Sequence, residues 1–228
     1  GGDLVTPFIL SGFNSFQALS SKPCKPYDKN RVGINIGEVA TSALITKSNE
    51  KLAEEAVEIL GEGSCNDANH ISGPSRTGEG LYRSMKSAFA EANISSNEID
   101  YLSAHGTATP YNDEMEAIAF DRMDLSNVPM NSLKGYFGHT LGASGLLETV
   151  VGMHSLYNNT LYASLGFEEL GVSKNINVIR GNDILSLIGI CFRRYDNERK
   201  NRLFSCLINN ISDTDGSYFE IVYHNIMR

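Results

Sequence analysis

Two histidines occupy matching places in this sequence of 228 residues. His105 and His139 each follow a short apolar segment that we predict to be a strand, and glycine and threonine residues surround both of them. Small residues allow a close approach between the backbone and a ligand, and strand ends in α/β folds are where ligands collect. One histidine in such a place is usually structural, whereas two in the same setting favour a functional pair.

Three kinds of chemistry fit a histidine pair. The two side chains could bind a metal ion, with Asp113 and His70 as the candidates for a further ligand. They could belong to a Ser-His-Asp triad, although the sequence contains no Gly-x-Ser-x-Gly motif. Their N–H groups could also stabilise an oxygen atom that gains negative charge during a reaction. The residue types alone leave these three possibilities open.

Strands and helices alternate through the middle of the chain. An amphipathic helix is predicted over residues 79–93, a second helix over 113–123 and an apolar helix over 145–156. Short apolar strands are predicted at residues 99–104 and 130–133, where they run into His105 and Lys134. This order predicts an α/β fold with layered α/β/α architecture.

Weaker patterns predict the remaining elements. Phe13, Phe16 and Leu19 recur at spacing three, which indicates a short helix with that face packed inward. Residues 48–63 are predicted to form a short helix and then a strand from about Ala56, and residues 64–80 a long loop. Further strands are predicted at residues 32–45, 176–179, 185–192, 203–208 and 219–223.

Composition excludes several classes of protein. The formal net charge is -8, which argues against a broad surface for nucleic acid. No apolar run reaches the roughly 18–20 residues that span a bilayer. Cys24, Cys65, Cys191 and Cys206 form no Cys-x-x-Cys pair, so neither a disulfide framework nor a structural zinc site is indicated. We predict reduced thiols in a cytoplasmic protein.

Both histidines lie in longer motifs that are recognisable. Residues 105–116 read His-Gly-Thr-Ala-Thr-Pro-Tyr-Asn-Asp-Glu-Met-Glu, and residues 134–148 read Lys-x-x-x-Gly-His-Thr-x-Gly-Ala-Ser-Gly-x-x-Glu. Together they resemble the beta-ketoacyl-acyl-carrier-protein synthases, above all the type II elongating enzymes. Shorter motifs of the same family follow in the same order: Gly-Gly-Asp at 1–3, Pro-Phe at 7–8, Gly-Phe-Asn at 12–14, Ala-Leu-Ser at 18–20, Pro-Tyr-Asp at 26–28, Gly-Glu at 37–38 and Ser-Cys-Asn-Asp-Ala-Asn-His at 64–70.

The resemblance implies a thiolase-like layered α/β/α fold, of which this chain is largely the C-terminal half. Residues 1–55 are then the end of the N-terminal half, and residues 56–228 the C-terminal half. The implied reaction is a decarboxylative Claisen condensation. In the family a cysteine takes the acyl chain as a thioester, and two histidines hold the malonyl thioester while carbon dioxide leaves.

The resemblance also implies roles for individual residues. His105 and His139 are expected to hold the thioester carbonyl oxygen, where the enolate charge develops. Lys134 is expected to support them with Glu148 as its partner carboxylate. Three more residues are expected in a supporting place around the site: Thr107, Thr109 and His70.

Asp113 and Glu116 match the same motif but are predicted to be structural. Acidic residues in the first turn of a helix interact favourably with the positive end of its dipole. This explanation requires no part in catalysis.

No cofactor and no metal ion are implied by the resemblance. The implied partners are an acidic acyl carrier protein, acyl and malonyl thioesters, and either an identical subunit or a related synthase in a dimer. Because this chain is itself acidic, any patch for the carrier protein must be local, and Arg76, Lys86 and Arg193 are the candidates.

The sequence departs from the family in two places. The family's nucleophilic cysteine lies before the Gly-Gly-Asp segment, and none of the four cysteines of this chain takes that position, so we expect the chain alone to be inactive. Where the family has a glycine-rich loop with a gating phenylalanine, residues 209–217 read Asn-Asn-Ile-Ser-Asp-Thr-Asp-Gly-Ser, which alters or removes the acyl pocket.

Two interpretations accommodate these departures. The chain is either a portion of a condensing enzyme, or a catalytically silent subunit, like a chain length factor, that shapes the tunnel of an active partner. Retention of His105, His139 and Lys134 favours the first. A small hydrolase or metal enzyme that uses the histidine pair is the weaker third interpretation.

Overall fold

The computed structural model describes residues 1–45, 57–67 and 74–181, and the backbone of strands at 192–193, 201–204 and 207–209. Its helices are α1 (Pro7–Ser15), α2 (Glu79–Ala92), α3 (Pro110–Arg122), α4 (Lys134–Phe137) and α5 (Ser144–Asn158). Its strands are β1 (Gly2–Asp3), β2 (Val39–Ala40), β3 (Val57–Gly61), β4 (Ser64–Asn66), β5 (Leu102–Ser103), β6 (Met130–Asn131), β7 (Phe192–Arg193), β8 (Asn201–Phe204) and β9 (Leu207–Asn209). The α/β class predicted from the sequence is confirmed.

Three helices form close to their predicted bounds. α2 buries Leu81, Met85 and Phe89, the apolar stripe from which it was predicted. α3 starts at Pro110, three residues earlier than predicted, because a proline in the first turn has no intrahelical donor to lose and its fixed φ suits a helix. α5 ends at Asn158, where the next residue adopts a left-handed conformation.

The central parallel strands are shorter than predicted, but they are extended by backbone hydrogen bonds. β5 and β6 pair in parallel, and Met130 also bridges Val178 in parallel. The Ala104 N–H donates to the Asn131 carbonyl oxygen at 2.8 Å just beyond the pair. Because parallel strands end at the same edge, the segments that follow β5 and β6 begin side by side, and these segments carry the two histidines.

The first 45 residues differ from their prediction in two ways. α1 ends at Ser15, so Phe16 lies outside it and is 66% exposed instead of packed inward. Residues 32–45 form isolated bridges of Ile34 and Ile36 and then β2, instead of one strand. Gly33, with φ of 135°, and closely packed Gly37 interrupt the extended run.

The described strands at residues 201–209 pair with the segment around residue 60. β3 pairs in parallel with β8, and β4 in parallel with β9. The predicted loop at residues 64–80 therefore begins with a strand, and the predicted strand at 203–208 is divided between two sheets. Several predictions lie outside the described residues: the helix before Ala56, the strand at 219–223, most of the strand at 185–192, residues 210–217, His70, Cys191 and Cys206.

The main core lies between α2, α3 and the β5–β6 pair. Its largest buried members include Tyr27, Met115, Leu125 and Met130. Across residues 1–45, 57–67 and 74–181, no helix is both long and apolar enough to cross a membrane.

Candidate active site

The rings of His105 and His139 meet edge to face. Their centroids are 5.1 Å apart and their planes stand at 89°. The ring of Phe13, which α1 presents, lies 6.0 Å from the ring of His139. The structure therefore brings together the two histidines that the sequence singled out, and it places the aromatic ring of Phe13 beside His139.

The backbone around His105 is fixed from two sides. The N–H groups of His105 and Gly106 donate to Oε1 and Oε2 of Glu116, at 2.9 and 2.8 Å. The hydroxyl of Ser132 donates to their carbonyl oxygens, at 3.1 and 2.8 Å. Gly106 has φ of 42°, and a Cβ there would lie 2.5 Å from Cβ of Ser132. Only glycine therefore fits at position 106, directly after His105.

Asp113 holds the next residue of the same loop. Its Oδ1 accepts the Thr107 N–H at 3.0 Å, its Oδ2 accepts the Tyr27 N–H at 2.8 Å, and the Arg31 Nε lies 3.6 Å from Oδ2. The Asp113 and Glu116 side chains are buried, at 0% and 2% exposure. The prediction that they are structural agrees with this geometry, but the helix dipole was too weak an explanation, because both carboxylates fix the loop that presents His105.

A different segment fixes His139. Its N–H donates to the Asn35 carbonyl oxygen at 2.7 Å, and its carbonyl oxygen accepts the Gly37 N–H at 3.1 Å. The Nδ1 atom of its ring accepts the Leu141 N–H at 2.9 Å. Since Nδ1 is an acceptor, the ring proton of the neutral imidazole is on Nε2, which is then available as a donor.

Both imidazoles are held in the neutral form. Burial lowers the pKa of His139 to about 3, and the Lys134 charge acts in the same direction. Burial also lowers the pKa of His105 well below its usual value, and the Lys134 charge and the neighbouring His139 contribute to that shift. At neutral pH the pair thus consists of two uncharged rings, each with one N–H.

Lys134 and Glu148 form a buried ion pair beside the histidines. Nζ of Lys134 lies 2.6 Å from Oε1 of Glu148, and Lys134 is only 2% exposed. Burial raises the pKa of Glu148 although the Lys134 charge opposes that shift. Lys134 opens the short helix α4, which begins directly after the predicted strand. The pairing expected from the resemblance is present in the structure.

The two supporting threonines lie in the His105 loop. Their Oγ1 atoms are 2.7 Å apart, with Thr107 buried and Thr109 half-buried. The thiol of Cys24 donates to the Thr107 carbonyl oxygen with a separation of 3.7 Å, and burial raises the pKa of that thiol to about 11. Cys24 is therefore close to the site but is a protonated thiol. His70, the third supporting residue, lies outside the described residues.

The metal-site interpretation gains no support from this geometry. In the part of the chain that the structure describes, no three histidine, cysteine, aspartate or glutamate side chains are grouped so that they could hold a metal ion. Asp113, one of the proposed further ligands, accepts two backbone N–H groups and faces Arg31.

Comparison with known proteins identifies the family of the domain that contains the site. The model of the beta-ketoacyl synthase C-terminal domain matches residues 56–168. The chain carries a beta-ketoacyl synthase C-terminal domain. His105, Lys134, His139 and Glu148 all lie inside the matched range, whereas residues 1–55, which supply Phe13 and Asn35, precede it.

Curated relatives and solved structures agree with this assignment. The 3-oxoacyl-acyl-carrier-protein synthase 2 of Coxiella burnetii is 33% identical over 175 residues, which are 72% of this chain and 42% of the relative. A beta-ketoacyl synthase from Burkholderia phymatum superposes with a TM-score of 0.69 at 25% identity, over 83% of this chain and 49% of that one. The thiolase-like fold is thus confirmed, and this chain spans less than half the length of these relatives.

One further structure bears on partners. One chain of the complex between a ketosynthase and its chain length factor from Xenorhabdus doucetiae superposes with a TM-score of 0.67 at 28% identity. The match covers 80% of this chain and 45% of that one.

Several residues of the synthase site were missed by sequence reasoning. Asn35 and Ser132 act on the backbone of the histidine loops, and Phe13 contacts His139 across a long sequence separation. Tyr27 lies in the Pro-Tyr-Asp motif that carried part of the resemblance, so a signal existed for it. Phe13 lies in the Gly-Phe-Asn motif and in the spacing-three pattern, so a signal existed for it too, whereas nothing in the local periodicity marks Asn35 or Ser132.

An open groove elsewhere on the chain is lined by Pro129, Phe167, Leu170 and residues 175–180. No predicted site residue is among these lining residues. The groove therefore contributes nothing to the histidine chemistry.

Proposed function

We propose that this chain supplies the carbonyl-binding histidines of a beta-ketoacyl-acyl-carrier-protein synthase. Such an enzyme joins an acyl thioester to malonyl-acyl carrier protein with loss of carbon dioxide. The observation that carries the proposal is the pair of neutral imidazoles, with ring centroids 5.1 Å apart and the His139 Nε2–H left free of the bond at Nδ1.

The chemistry demands uncharged donors aimed at one oxygen. When the bond between the malonyl Cα and its carboxylate breaks, the electron pair moves to the thioester and charge develops on the carbonyl oxygen as carbon dioxide leaves. Two imidazole N–H groups stabilise this enolate without protonating it. The low pKa values of His105 and His139 keep the rings in the donating neutral form.

The second step forms the new carbon–carbon bond. The enolate carbon attacks the carbonyl carbon of the acyl thioester, and a cysteine thiolate leaves with its electron pair. Cys24 does not fit that role, because its buried thiol has a raised pKa and donates to a backbone carbonyl. We assign the nucleophile to a part of the full-length protein outside these 228 residues.

Lys134 and Glu148 have an electrostatic role in this proposal. The Lys134 charge lowers the pKa of both histidines. Glu148 in turn provides the counter-charge that permits burial of the lysine. The hydroxyl pair of Thr107 and Thr109 follows His105 in the same loop, where it can bond the polar arm of the carrier-bound thioester.

The partners follow from the same proposal. The names of the curated relatives specify an acyl carrier protein as carrier. The division into residues 1–55 and 56–228 as parts of two thiolase-like halves belongs to the proposal, as does pairing with an identical or related subunit.

A silent subunit is the competing proposal, and it is prompted by the likeness to a chain of the Xenorhabdus doucetiae complex between a ketosynthase and its chain length factor. A silent subunit has no use for two neutral imidazoles with a lysine that lowers their pKa. The retained geometry therefore supports the condensing enzyme.

The test is release of carbon dioxide from malonyl-acyl carrier protein by the full-length protein. We expect His105→Ala and His139→Ala each to lower the rate by about 100-fold or more, since one donor to a developing oxyanion contributes about that much. His154→Ala is the matched control, because His154 is exposed on α5. Decarboxylation at the parent rate in both site variants, or none in the parent, would overturn the proposal.

A further inference from the structure

The hydroxyl group of Tyr27 has no part in the chemistry above, yet it bonds directly to the carboxylate that holds the His105 loop. We propose that Tyr27 is a positioning residue that orients His105 through Glu116. This inference rests on the proposed function only for its effect on catalysis, since the link between the three residues can be measured without any reaction.

Glu116 is saturated with donors. Its Oε1 accepts the His105 N–H at 2.9 Å. Its Oε2 accepts the Gly106 N–H at 2.8 Å, the Tyr27 O–H at 2.9 Å and the Asn112 Nδ2–H at 2.9 Å. A buried carboxylate with four donors has one orientation, and that orientation sets where the backbone of residues 105 and 106 lies.

Tyr27 is itself held rigidly. It is fully buried, its N–H donates to Asp113, and its carbonyl oxygen accepts the Gly171 N–H at 2.9 Å. Its φ of 63° lies in the left-handed region, which a residue with a side chain adopts only at a cost of about 1–2 kcal/mol. A Cβ on Gly106 would come within 2.8 Å of the Tyr27 ring. The tyrosine ring thus lies beside Gly106 of the His105 loop, and its hydroxyl group bonds to Glu116, which holds that loop.

Tyr27 acts on the His105 loop by helping to keep Glu116 ionised. Burial raises the pKa of Glu116, while the Gly106 N–H, the Tyr27 O–H, the His105 N–H and the Lys134 charge hold it down. Asp113 is the other acidic group nearby. Burial raises its pKa most, the Glu116 charge adds to that rise, and Arg31 faces it. Without the tyrosine hydroxyl, the pKa of Glu116 rises.

Protonation of Glu116 disturbs the loop. A protonated carboxyl carries an O–H donor on one oxygen, so it accepts fewer of the N–H groups that now converge on it. The backbone at residues 105 and 106 then shifts and takes the His105 ring with it.

The experiment compares Tyr27→Phe with Tyr101→Phe in the full-length protein. Tyr101 is a matched control, because it is 1% exposed and its hydroxyl group bonds to Asn131, away from Glu116. The readout is the pH dependence of the backbone amide NMR signals of His105 and Gly106. On acidification these amide signals shift as Glu116 takes up a proton. We expect the pH midpoint of that shift to rise by about 0.5–1 pH unit in Tyr27→Phe and to stay at the parent value in Tyr101→Phe.

Activity gives a second readout. In Tyr27→Phe we expect kcat for malonyl decarboxylation to fall about 10-fold with little change in KM, and its acid limb to move to higher pH. In Glu116→Gln the amide midpoint should disappear, and this variant tests the link even if Tyr27→Phe does not fold.

The outcomes separate the two proposals. An unchanged midpoint in Tyr27→Phe, or a midpoint that survives in Glu116→Gln, overturns the positioning role. A parent protein that does not decarboxylate overturns the proposed function, while the amide titration still decides the link from Tyr27 to His105.

Discussion

One buried pair of opposite charges determines the electrostatics of this site. Lys134 is removed from water and Glu148 largely so, and each is tolerated because the other neutralises it at 2.6 Å. A neutral residue at position 134 would leave the carboxylate without its partner and would also remove the charge that lowers the pKa of both imidazoles.

Lys134→Met is therefore expected to lower the free energy of unfolding by about 3–5 kcal/mol, as for other buried pairs that lose one partner. Denaturant-induced unfolding measures this value. Lys25→Met serves as the control, since Lys25 makes a similar bond to Glu168 at 2.8 Å on the surface, where solvent screens it. Equal effects of the two substitutions would show that the buried pair is not the stabilising feature.

The sequence predicted which side chains meet, but it did not predict what holds them. The histidine, lysine and glutamate positions followed from strand-end placement and from the two family motifs. Glu116 accepts a bond from the Tyr27 hydroxyl group 89 residues away, and the His139 N–H donates to the backbone carbonyl oxygen of the comparably remote Asn35. Residue patterns carry no record of such distant partners.

Among the secondary-structure elements, the longer helices were predictable because their apolar periodicity lies within the helix's own sequence. α2 and α5 formed within two residues of their predicted bounds. The strands were not, because a two-residue strand such as β5 is defined by its partner and not by its own sequence. The segment at residues 32–45 shows this best, since its glycines serve close contacts with other segments and interrupt the expected strand.

Gly37 offers the sharpest test of such a contact. A Cβ there would lie 1.9 Å from the Phe137 carbonyl oxygen, and the Gly37 N–H holds the carbonyl oxygen of His139. Gly37→Ala should destabilise the protein by about 1–3 kcal/mol or more, as overpacking does, and should displace His139. Thermal unfolding and the malonyl decarboxylation rate measure the two effects.

Gly12→Ala is the matched control, because Gly12 lies in α1 and an alanine Cβ at that position would have no neighbouring atom within 4 Å. Alanine is the better helix former, so this change should stabilise by roughly 0.5–1 kcal/mol. If Gly37→Ala is as well tolerated as Gly12→Ala, the close approach between the two segments is not needed.

At the scale of the whole molecule, buried carboxyl groups make stability depend on pH. Burial raises the pKa of Asp113 from 3.8 to about 7, and it raises the pKa values of Glu116 and Glu148 as well. Between these two pH values the folded protein keeps a proton on Asp113 that the unfolded chain has lost. The contribution of Asp113 to stability is therefore present at low pH and is lost as the pH rises through about 7.

Asp113→Asn removes this dependence. We expect the unfolding free energy of the parent, minus that of the variant, to fall by about 1.4 kcal/mol per pH unit between pH 4 and 7. Unfolding curves collected across that range give the slope. For Asp121→Asn the same difference should be nearly flat between pH 4 and 7 and should rise with pH only around and below pH 3.8, because the partner Lys174 lowers the pKa of Asp121. A flat difference for Asp113→Asn would contradict the raised pKa.

The hydrogen bond from the Leu141 N–H to Nδ1 of His139 limits how this ring can transfer protons. A ring whose second nitrogen is already occupied cannot collect a proton there and pass another on, so His139 cannot serve as a relay. Within the proposed condensation, every proton that is gained or lost must then travel through solvent or another group, while this imidazole offers its single N–H and keeps it.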